Sequence, residues 1–359
     1  MKFKILINIF VLIVLVYAQS DIDCSRRNAI TRAIEDVGPA VAGINVIAIQ
    51  EYVTGSFFDD PLLRFLFPEQ IIRRRVQSLG SGFIISSNGY IVTNAHVIEN
   101  AEKVVVSLVG GREFEAKIVG VDNLTDIALL KIDGKNFKYA KLGDSDDIIV
   151  GEWVVALGNP FGLFNVAHNP VATVGIVSGV DIDFGKQESG RVYQDMIQTD
   201  ASINAGNSGG PLVNVNGEVI GINTFIFTGS ALSEGSIGIG FAIPINRVKV
   251  VVEELKKYGK VDRSFRTGLT VQDIDVFLAR YLGLEEVAGV IVTNVKKGSS
   301  AEKAGIKIGD ILIQINNRKI KNKYDIIDEI QENFYKRGDI VKFVGIRDGK
   351  RIEFQLVLE

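Results

Sequence analysis

Short apolar stretches rich in β-branched residues recur over residues 41–243, separated by turns of Gly, Asn and Asp. Three of these stretches are Gly82-Phe83-Ile84-Ile85, Tyr90-Ile91-Val92-Thr93 and Trp153-Val154-Val155-Ala156-Leu157. Stretches of this length that are bounded by turn residues predict β-strands. The Asn-Gly pairs at residues 88–89 and 216–217 are typical of hairpin turns. Many short strands over about 200 residues favour a barrel or sandwich over alternating β/α units.

At residues 248–258 the spacing of the hydrophobic residues changes to the spacing typical of a helix. Val248, Val251, Val252 and Leu255 fall on one stripe, and Gly259 follows as a helix stop. The polar residues after this helix predict a linker at 261–264. We therefore expect one domain over residues 19–260 and a second over residues 265–359, which is large enough to hold its own small core.

Residues 1–18 have the pattern of a secretory signal peptide. Lys2 and Lys4 precede an apolar run over residues 5–16, and Ala18 supplies a small residue for cleavage. The run is shorter than the roughly 20 apolar residues of a transmembrane helix. We expect cleavage near Ala18 and a soluble protein exported to the periplasm or cell envelope. A membrane anchor formed by residues 5–18 is the alternative.

Composition narrows the possible chemistry. The 359 residues include 40 Lys+Arg and 43 Asp+Glu, a net charge of −3, which gives no general attraction to nucleic acid. A single Cys excludes an intrachain disulfide and a Cys-rich zinc site. No motif with the spacing of a metal or phosphate site occurs, so no metal or cofactor is expected. The chain has two histidines, His96 and His168, and any imidazole base must be one of them.

A glycine-flanked serine is the strongest candidate for a reactive group. Ser208 lies in Gly206-Asn207-Ser208-Gly209-Gly210-Pro211, where a tight turn can expose its Oγ. The backbone over Gly206, Asn207 and Ser208 can then surround a developing oxyanion, with the amides of Gly206 and Ser208 as donors. A serine nucleophile also needs a base to take its proton.

His96 and Asp126 complete a predicted triad. His96 ends a predicted strand, whereas His168 lies in a loop before a proline. Asp126 begins an otherwise apolar strand, where a carboxylate needs a partner, and it can orient the His96 imidazole. The chain order His96, Asp126, Ser208 is that of chymotrypsin-like proteases.

These motifs and their neighbours closely resemble the HtrA/DegP family of serine proteases. The matching segments are Thr93-Asn94-Ala95-His96-Val97, Asp126-Ile127-Ala128-Leu129-Leu130-Lys131, Gly158-Asn159-Pro160, Gln198-Thr199-Asp200-Ala201 and Gly206-Asn207-Ser208-Gly209-Gly210-Pro211. The resemblance implies an all-β protease domain of two six-stranded, chymotrypsin-like barrels, followed by a small α+β PDZ domain. It implies an endopeptidase that degrades unfolded or misfolded proteins in envelope quality control and the stress response, as a homotrimer or larger assembly. The apolar segment 57–67 is a candidate oligomer contact.

The resemblance also implies two binding sites. Ile203 is expected at the base of the specificity pocket, with Phe225 and Ile226 on its wall, which favours a small aliphatic side chain before the cleaved bond. Phe225 is bulkier than the family's usual alanine and predicts a shallower or shifted pocket. Asp200 suggests a preference for basic side chains, but it lies two residues too far upstream and is interpreted as structural.

In the C-terminal domain, Arg266, Thr267, Gly268 and Leu269 match the loop with which PDZ domains hold a peptide carboxylate. Thr267 departs from the apolar residue that the family usually has before this glycine. The alternative to a protease is a chaperone-like or peptide-binding PDZ protein in which proteolysis is minor.

Overall fold

The computed structural model describes residues 26–54, 70–159, 164, 169–204, 206–224, 238–284 and 286–359, with the backbone alone over 48–54 and 70–77. Several predicted features lie outside these residues or their described side chains: the signal segment 1–18, the apolar segment 57–67, His168, Phe225 and Ile226. The chain forms two compact units, Met1–Asp183 with Asp195–Lys260, and Phe184–Gln194 with Val261–Glu359. Residues 184–194 thus group with the C-terminal unit, although the sequence pattern places them in the first domain.

The first barrel follows helix α1 (Ala29–Val37), whose N-terminus is capped by the Asn28 side chain. Its six antiparallel strands close in the order β1-β2-β3-β6-β5-β4. Their bounds are Val41–Thr54 (β1), Gln70–Ile84 (β2), Tyr90–Asn94 (β3), Ala101–Leu108 (β4), Arg112–Asp122 (β5) and Ile127–Ile132 (β6). Neighbouring residues of β3 and β6, such as Ile91 with Val92 and Leu129 with Leu130, are fully buried. This two-sided burial explains why these strands read as continuous apolar runs in the sequence.

The second barrel also has six antiparallel strands, in the order β13-β8-β9-β12-β15-β14, and the pairing of β13 with β14 closes it. Their bounds are Trp153–Gly158 (β8), Val171–Ile182 (β9), Met196–Thr199 (β12), Pro211–Asn214 (β13), Glu218–Thr224 (β14) and Gly240–Pro244 (β15). The short β7 (Lys141–Leu142) adds in parallel to β14. Within the described part of the chain, the predicted pair of six-stranded barrels is confirmed.

Helix α2 (Ile245–Tyr258) follows the second barrel and buries Val248, Val251, Val252 and Leu255, which is the stripe that the sequence predicts. It ends at Gly259, whose φ of 72° is readily adopted by glycine. Neither α2 nor any other helix of the described residues has the length and hydropathy to cross a membrane.

The second unit has a sheet in the order β16-β17-β18-β20-β21, with β19 paired to β18. Its strands are Leu269–Asp273 (β16), Val290–Val295 (β17), Ile311–Ile315 (β18), Arg318–Lys319 (β19), Ile340–Arg347 (β20) and Lys350–Val357 (β21). Three helices join them: Val276–Leu282 (α3), Ser300–Lys303 (α4) and Lys323–Glu332 (α5). A hairpin of β10 (Gly185–Lys186) and β11 (Val192–Tyr193) lies beside α5, where the Lys186 ammonium donates to Asp328 Oδ1 (3.0 Å).

Candidate active site

His96 and Asp126 meet through two hydrogen bonds. The ring Nδ1 of His96 lies 2.7 Å from Asp126 Oδ2, and the backbone amide of His96 donates to Asp126 Oδ1 (2.9 Å). Asp126 is fully buried, whereas the His96 side chain keeps 28% of its surface exposed. The carboxylate therefore fixes the orientation of the imidazole from the protein side and leaves part of the ring open to solvent.

Asp126 owes its position to the turn that precedes β6. Its φ of 58° is left-handed, a conformation that Asp and Asn adopt more readily than other non-glycine residues. Its carbonyl accepts hydrogen bonds from the Ala95 amide (3.1 Å) and the Asn94 side chain (3.0 Å). These two bonds attach the turn to the end of β3, immediately before His96.

Ser208 lies in a tight turn between β12 and β13. Gly206 and Gly209 adopt φ values of 97° and 85°, and both glycines are needed because other residues rarely accept this conformation. The Gly209 amide donates to Asn223 O (2.8 Å), and the Gly210 amide donates to Asn207 O (2.9 Å). The serine is therefore held by a hydrogen-bonded loop on the second barrel.

This turn packs against β3, the strand that ends two residues before His96. A Cβ atom added at Gly209 would stand 2.3 Å from Thr93 Oγ1 and 3.1 Å from the Asn94 amide. Thr93 and Asn94 belong to β3, and His96 follows two residues later. The structure thus brings the serine turn of one barrel to the His96 end of the other, and a side chain at position 209 would push them apart.

Ser81, which sequence reasoning did not identify, joins the two barrels behind the serine. Its amide donates to Ser208 O (2.9 Å), and its hydroxyl donates to Gly206 O (2.5 Å). The same hydroxyl accepts from the Asn159 amide (2.8 Å), while its carbonyl accepts from Thr93 Oγ1 (2.6 Å). A signal was present in the sequence, since Ser81 stands between two glycines in Gly80-Ser81-Gly82.

The three residues predicted to surround an oxyanion have different environments. The Asn207 amide donates to Asn204 O (3.0 Å), so it serves the turn itself. The Asn207 side chain is buried and faces Gly158, where an added Cβ would lie 2.5 Å from Asn207 Oδ1. Gly206 and Ser208 remain as the candidate oxyanion donors.

Of the predicted specificity residues, the structure describes Ile203. Its side chain is 3% exposed and packs in the core of the second barrel, where a Cβ on Gly240 would lie 2.9 Å from its Cδ1. Asp200 accepts from the Ile176 amide through Oδ1 (2.7 Å) and so holds strand β9. This contact agrees with the interpretation of Asp200 as a structural residue.

The loop predicted to hold a peptide carboxylate precedes β16. Gly268 has a φ of 72°, and a Cβ there would lie 2.2 Å from Ser299 Cβ. The Thr267 carbonyl accepts from the Ala301 amide (3.1 Å) and from Ser300 Oγ (3.2 Å) at the start of α4. The Thr267 carbonyl therefore fastens the loop to α4.

The described residues contain no group of three His, Cys, Asp or Glu that could hold a metal ion.

Comparisons with known proteins agree with this architecture. Residues 80–222 match a trypsin-like peptidase domain, and residues 236–358 match a PDZ domain. The chain is 41% identical over 338 residues to a probable periplasmic serine endoprotease DegP-like of Pseudomonas putida (strain W619), covering 89% of this chain and 67% of that relative. A protein of the same description from Chlamydia trachomatis is 43% identical over 310 residues, covering 84% and 59%. A solved structure described as HtrA-type protease AlgW with decapeptide superposes with a TM-score of 0.63 at 34% identity, covering 92% of this chain and 98% of that one.

Proposed function

Because the chain belongs to the DegP-like, HtrA-type family of serine endoproteases, we propose that Ser208, His96 and Asp126 are the catalytic triad of this serine endopeptidase. The observation that carries the assignment is the two-point contact between Asp126 and His96. A carboxylate only accepts hydrogen bonds, so the proton on the ring must sit on Nδ1. The other ring nitrogen, Nε2, is then left to accept a proton.

In this mechanism His96 removes the proton of Ser208 as the serine Oγ attacks the carbonyl carbon of the scissile peptide bond. The imidazolium that forms is stabilised by the buried Asp126 carboxylate, and it then protonates the leaving amine. Water, activated by the same imidazole, hydrolyses the acyl-enzyme. The amides of Gly206 and Ser208 stabilise the negative charge on the carbonyl oxygen in both steps, and losing one such donor typically costs about 10²- to 10³-fold in kcat.

We infer that the substrates are unfolded or misfolded proteins of the cell envelope. The curated relatives are named as periplasmic proteases, and the signal-like residues 1–18 support export of this chain. A small aliphatic residue before the cleaved bond is proposed from Ile203, Phe225 and Ile226. A homotrimer or larger assembly, with residues 57–67 as a contact, is proposed from the family resemblance, and a monomer mass in equilibrium sedimentation would contradict it.

We further propose that the C-terminal PDZ domain binds the C-terminal ends of peptides and regulates proteolysis. β16 pairs with β17 alone among the described strands, so its other edge is open to strand addition. Helix α5 runs beside this edge, and its Lys323 amide donates to Asp273 Oδ1 at the end of β16 (2.6 Å). An added peptide strand would lie in the groove between β16 and α5.

The Ser208→Ala variant tests the proposed enzyme. We expect loss of β-casein cleavage by at least about 10³-fold, since the residual rate rests on binding and the oxyanion donors, while binding of a C-terminal peptide is retained. Ser178→Ala, which removes an exposed hydroxyl from β9 of the same barrel, is the matched control and should cleave normally. Normal cleavage by folded Ser208→Ala would refute the triad. If Ser208→Ala also prevents casein aggregation efficiently, that result would support a chaperone-like activity in addition to proteolysis.

A further inference from the structure

The open edge of β16 fixes where the end of a bound peptide lies. A strand added antiparallel to β16 has its C-terminus beside the N-terminal end of β16, at Leu269. The preceding turn at Gly268 has left-handed φ, and such turns gather backbone amides into a concavity that suits an anion. The peptide carboxylate is therefore expected at the amides that open β16.

The carbonyl groups of Thr267 and Gly268 point away from this concavity. Thr267 O accepts from the Ala301 amide and Ser300 Oγ, and Gly268 O accepts from the Lys296 amide (2.9 Å). The carbonyls of Thr267 and Gly268 are held by α4 and by the residue after β17, and the Arg266 amide donates to Glu359 O (2.6 Å). The amides of residues 267–269 are then the ones that can face a ligand. One of these amides is already in use within the loop.

The Leu269 amide donates to the hydroxyl oxygen of Thr267 (3.2 Å). The Thr267 hydroxyl thus stands where a carboxylate oxygen would accept from the first residue of the edge strand. Thr267 is half-buried, and a rotation about χ1 to another staggered position would release the amide.

We propose that Thr267 is an affinity-setting residue, whose hydroxyl competes with the peptide carboxylate for the Leu269 amide. This inference rests on the proposed peptide groove. A carboxylate is the stronger acceptor and displaces the hydroxyl. The free energy of the broken Thr267–Leu269 hydrogen bond then reduces the net free energy of binding. A neutral hydrogen bond of this kind corresponds to about three- to tenfold in affinity. Thr267 therefore weakens binding of free C-termini and leaves binding without a carboxylate unchanged.

The test is the affinity of a labelled decapeptide ending in Ala-Val-Leu, measured by fluorescence anisotropy on the full chain carrying Ser208→Ala. Thr267→Val removes the acceptor and keeps the branched shape, and we expect binding about three- to tenfold tighter. Thr267→Ala should tighten binding in the same direction, and Thr267→Ser, which keeps a hydroxyl, should match the parent. The same decapeptide with an amidated C-terminus should show no gain.

Thr293→Val serves as the matched control, because it removes an exposed hydroxyl from β17, which does not border the proposed groove, and should leave the affinity unchanged. If Thr267→Val and Thr267→Ala bind the acid peptide with unchanged or lower affinity, the competition is refuted while the peptide groove stands. An equal gain for the amidated peptide would also refute it, since the effect would not involve the carboxylate. No binding of either peptide by any variant would overturn both the groove and this inference.

Discussion

The Asp126→Asn substitution probes how the Asp126 carboxylate determines which ring nitrogen of His96 carries the proton. The carboxylate serves two donors, the His96 backbone amide at Oδ1 and the imidazole Nδ1 at Oδ2. An asparagine side chain has only one acceptor oxygen. The backbone amide can only donate, so the asparagine oxygen must stay on it, and the NH₂ group is then turned toward Nδ1.

This orientation reverses the tautomer of the imidazole. Nδ1 becomes the acceptor, the ring proton moves to Nε2, and Nε2 can no longer take a proton from Ser208. In the chymotrypsin-type triad this change costs about 10⁴-fold in kcat, equivalent to about 5.4 kcal/mol of transition-state stabilisation. The backbone should be preserved, because Asn tolerates the left-handed φ of 58° at this position as Asp does.

The assay is kcat for a chromogenic peptide substrate, together with thermal unfolding and labelling of Ser208 by a fluorophosphonate. We expect kcat to fall by about 10⁴-fold, labelling to slow in parallel and the unfolding temperature to change little. Asp133→Asn is the control, since Asp133 follows the other end of β6, where it pairs with Lys117 at the surface, and it should retain full activity. A folded Asp126→Asn enzyme with more than about one tenth of the parent kcat would refute the tautomer argument.

Two further substitutions test one contact beside the proposed active site and one contact within the second unit. Ser81→Ala removes the partner of Gly206 O and of the buried Asn159 amide, so we expect kcat to fall by about tenfold or more with KM nearly unchanged and a stability loss of about 1–3 kcal/mol. Steady-state kinetics and denaturant unfolding measure both, and unchanged values would show that Ser81 does not hold the serine turn. Asp310→Asn weakens a two-bond ion pair in which Arg347 Nε and Nη2 lie 2.6 and 2.7 Å from a nearly fully buried carboxylate, a contact that also raises the pKa of Arg347. We expect the second unit to lose about 2 kcal/mol, as for hydrogen bonds to a charged group, and an unchanged unfolding midpoint for that unit would contradict this.

The residues of the proposed triad could be predicted because each has a local signal. Ser208 lies among glycines, Asp126 stands before an apolar strand, and His96 closely follows the end of one. Backbone requirements leave such signals, since a left-handed φ at Gly206 or Gly209 restricts the residue type at that position.

Contacts between distant segments leave weaker signals in a single sequence. The Ser81 hydroxyl meets Gly206 O across 125 residues of sequence, and a serine between glycines does not specify that partner. The hairpin of residues 184–194 reads as a polar loop, and its Lys186 reaches Asp328 across 142 residues. Polar surface residues are compatible with many neighbours, so neither contact follows from pattern or propensity.

The register of one strand pair links the fold to the chemistry. β3 and β6 are antiparallel, with Asn94 opposite Ile127 and Thr93 opposite Ala128. His96 lies two residues beyond Asn94, and Asp126 lies one residue before Ile127, so both fall at the same end of the pair. A slip of two residues, which would keep the same faces buried, moves one strand by about 6.8 Å relative to the other. That displacement is far longer than the 2.7 Å contact between His96 and Asp126. The apolar packing of β3 and β6 therefore determines the distance between the proposed base, His96, and the carboxylate of Asp126 proposed to orient it.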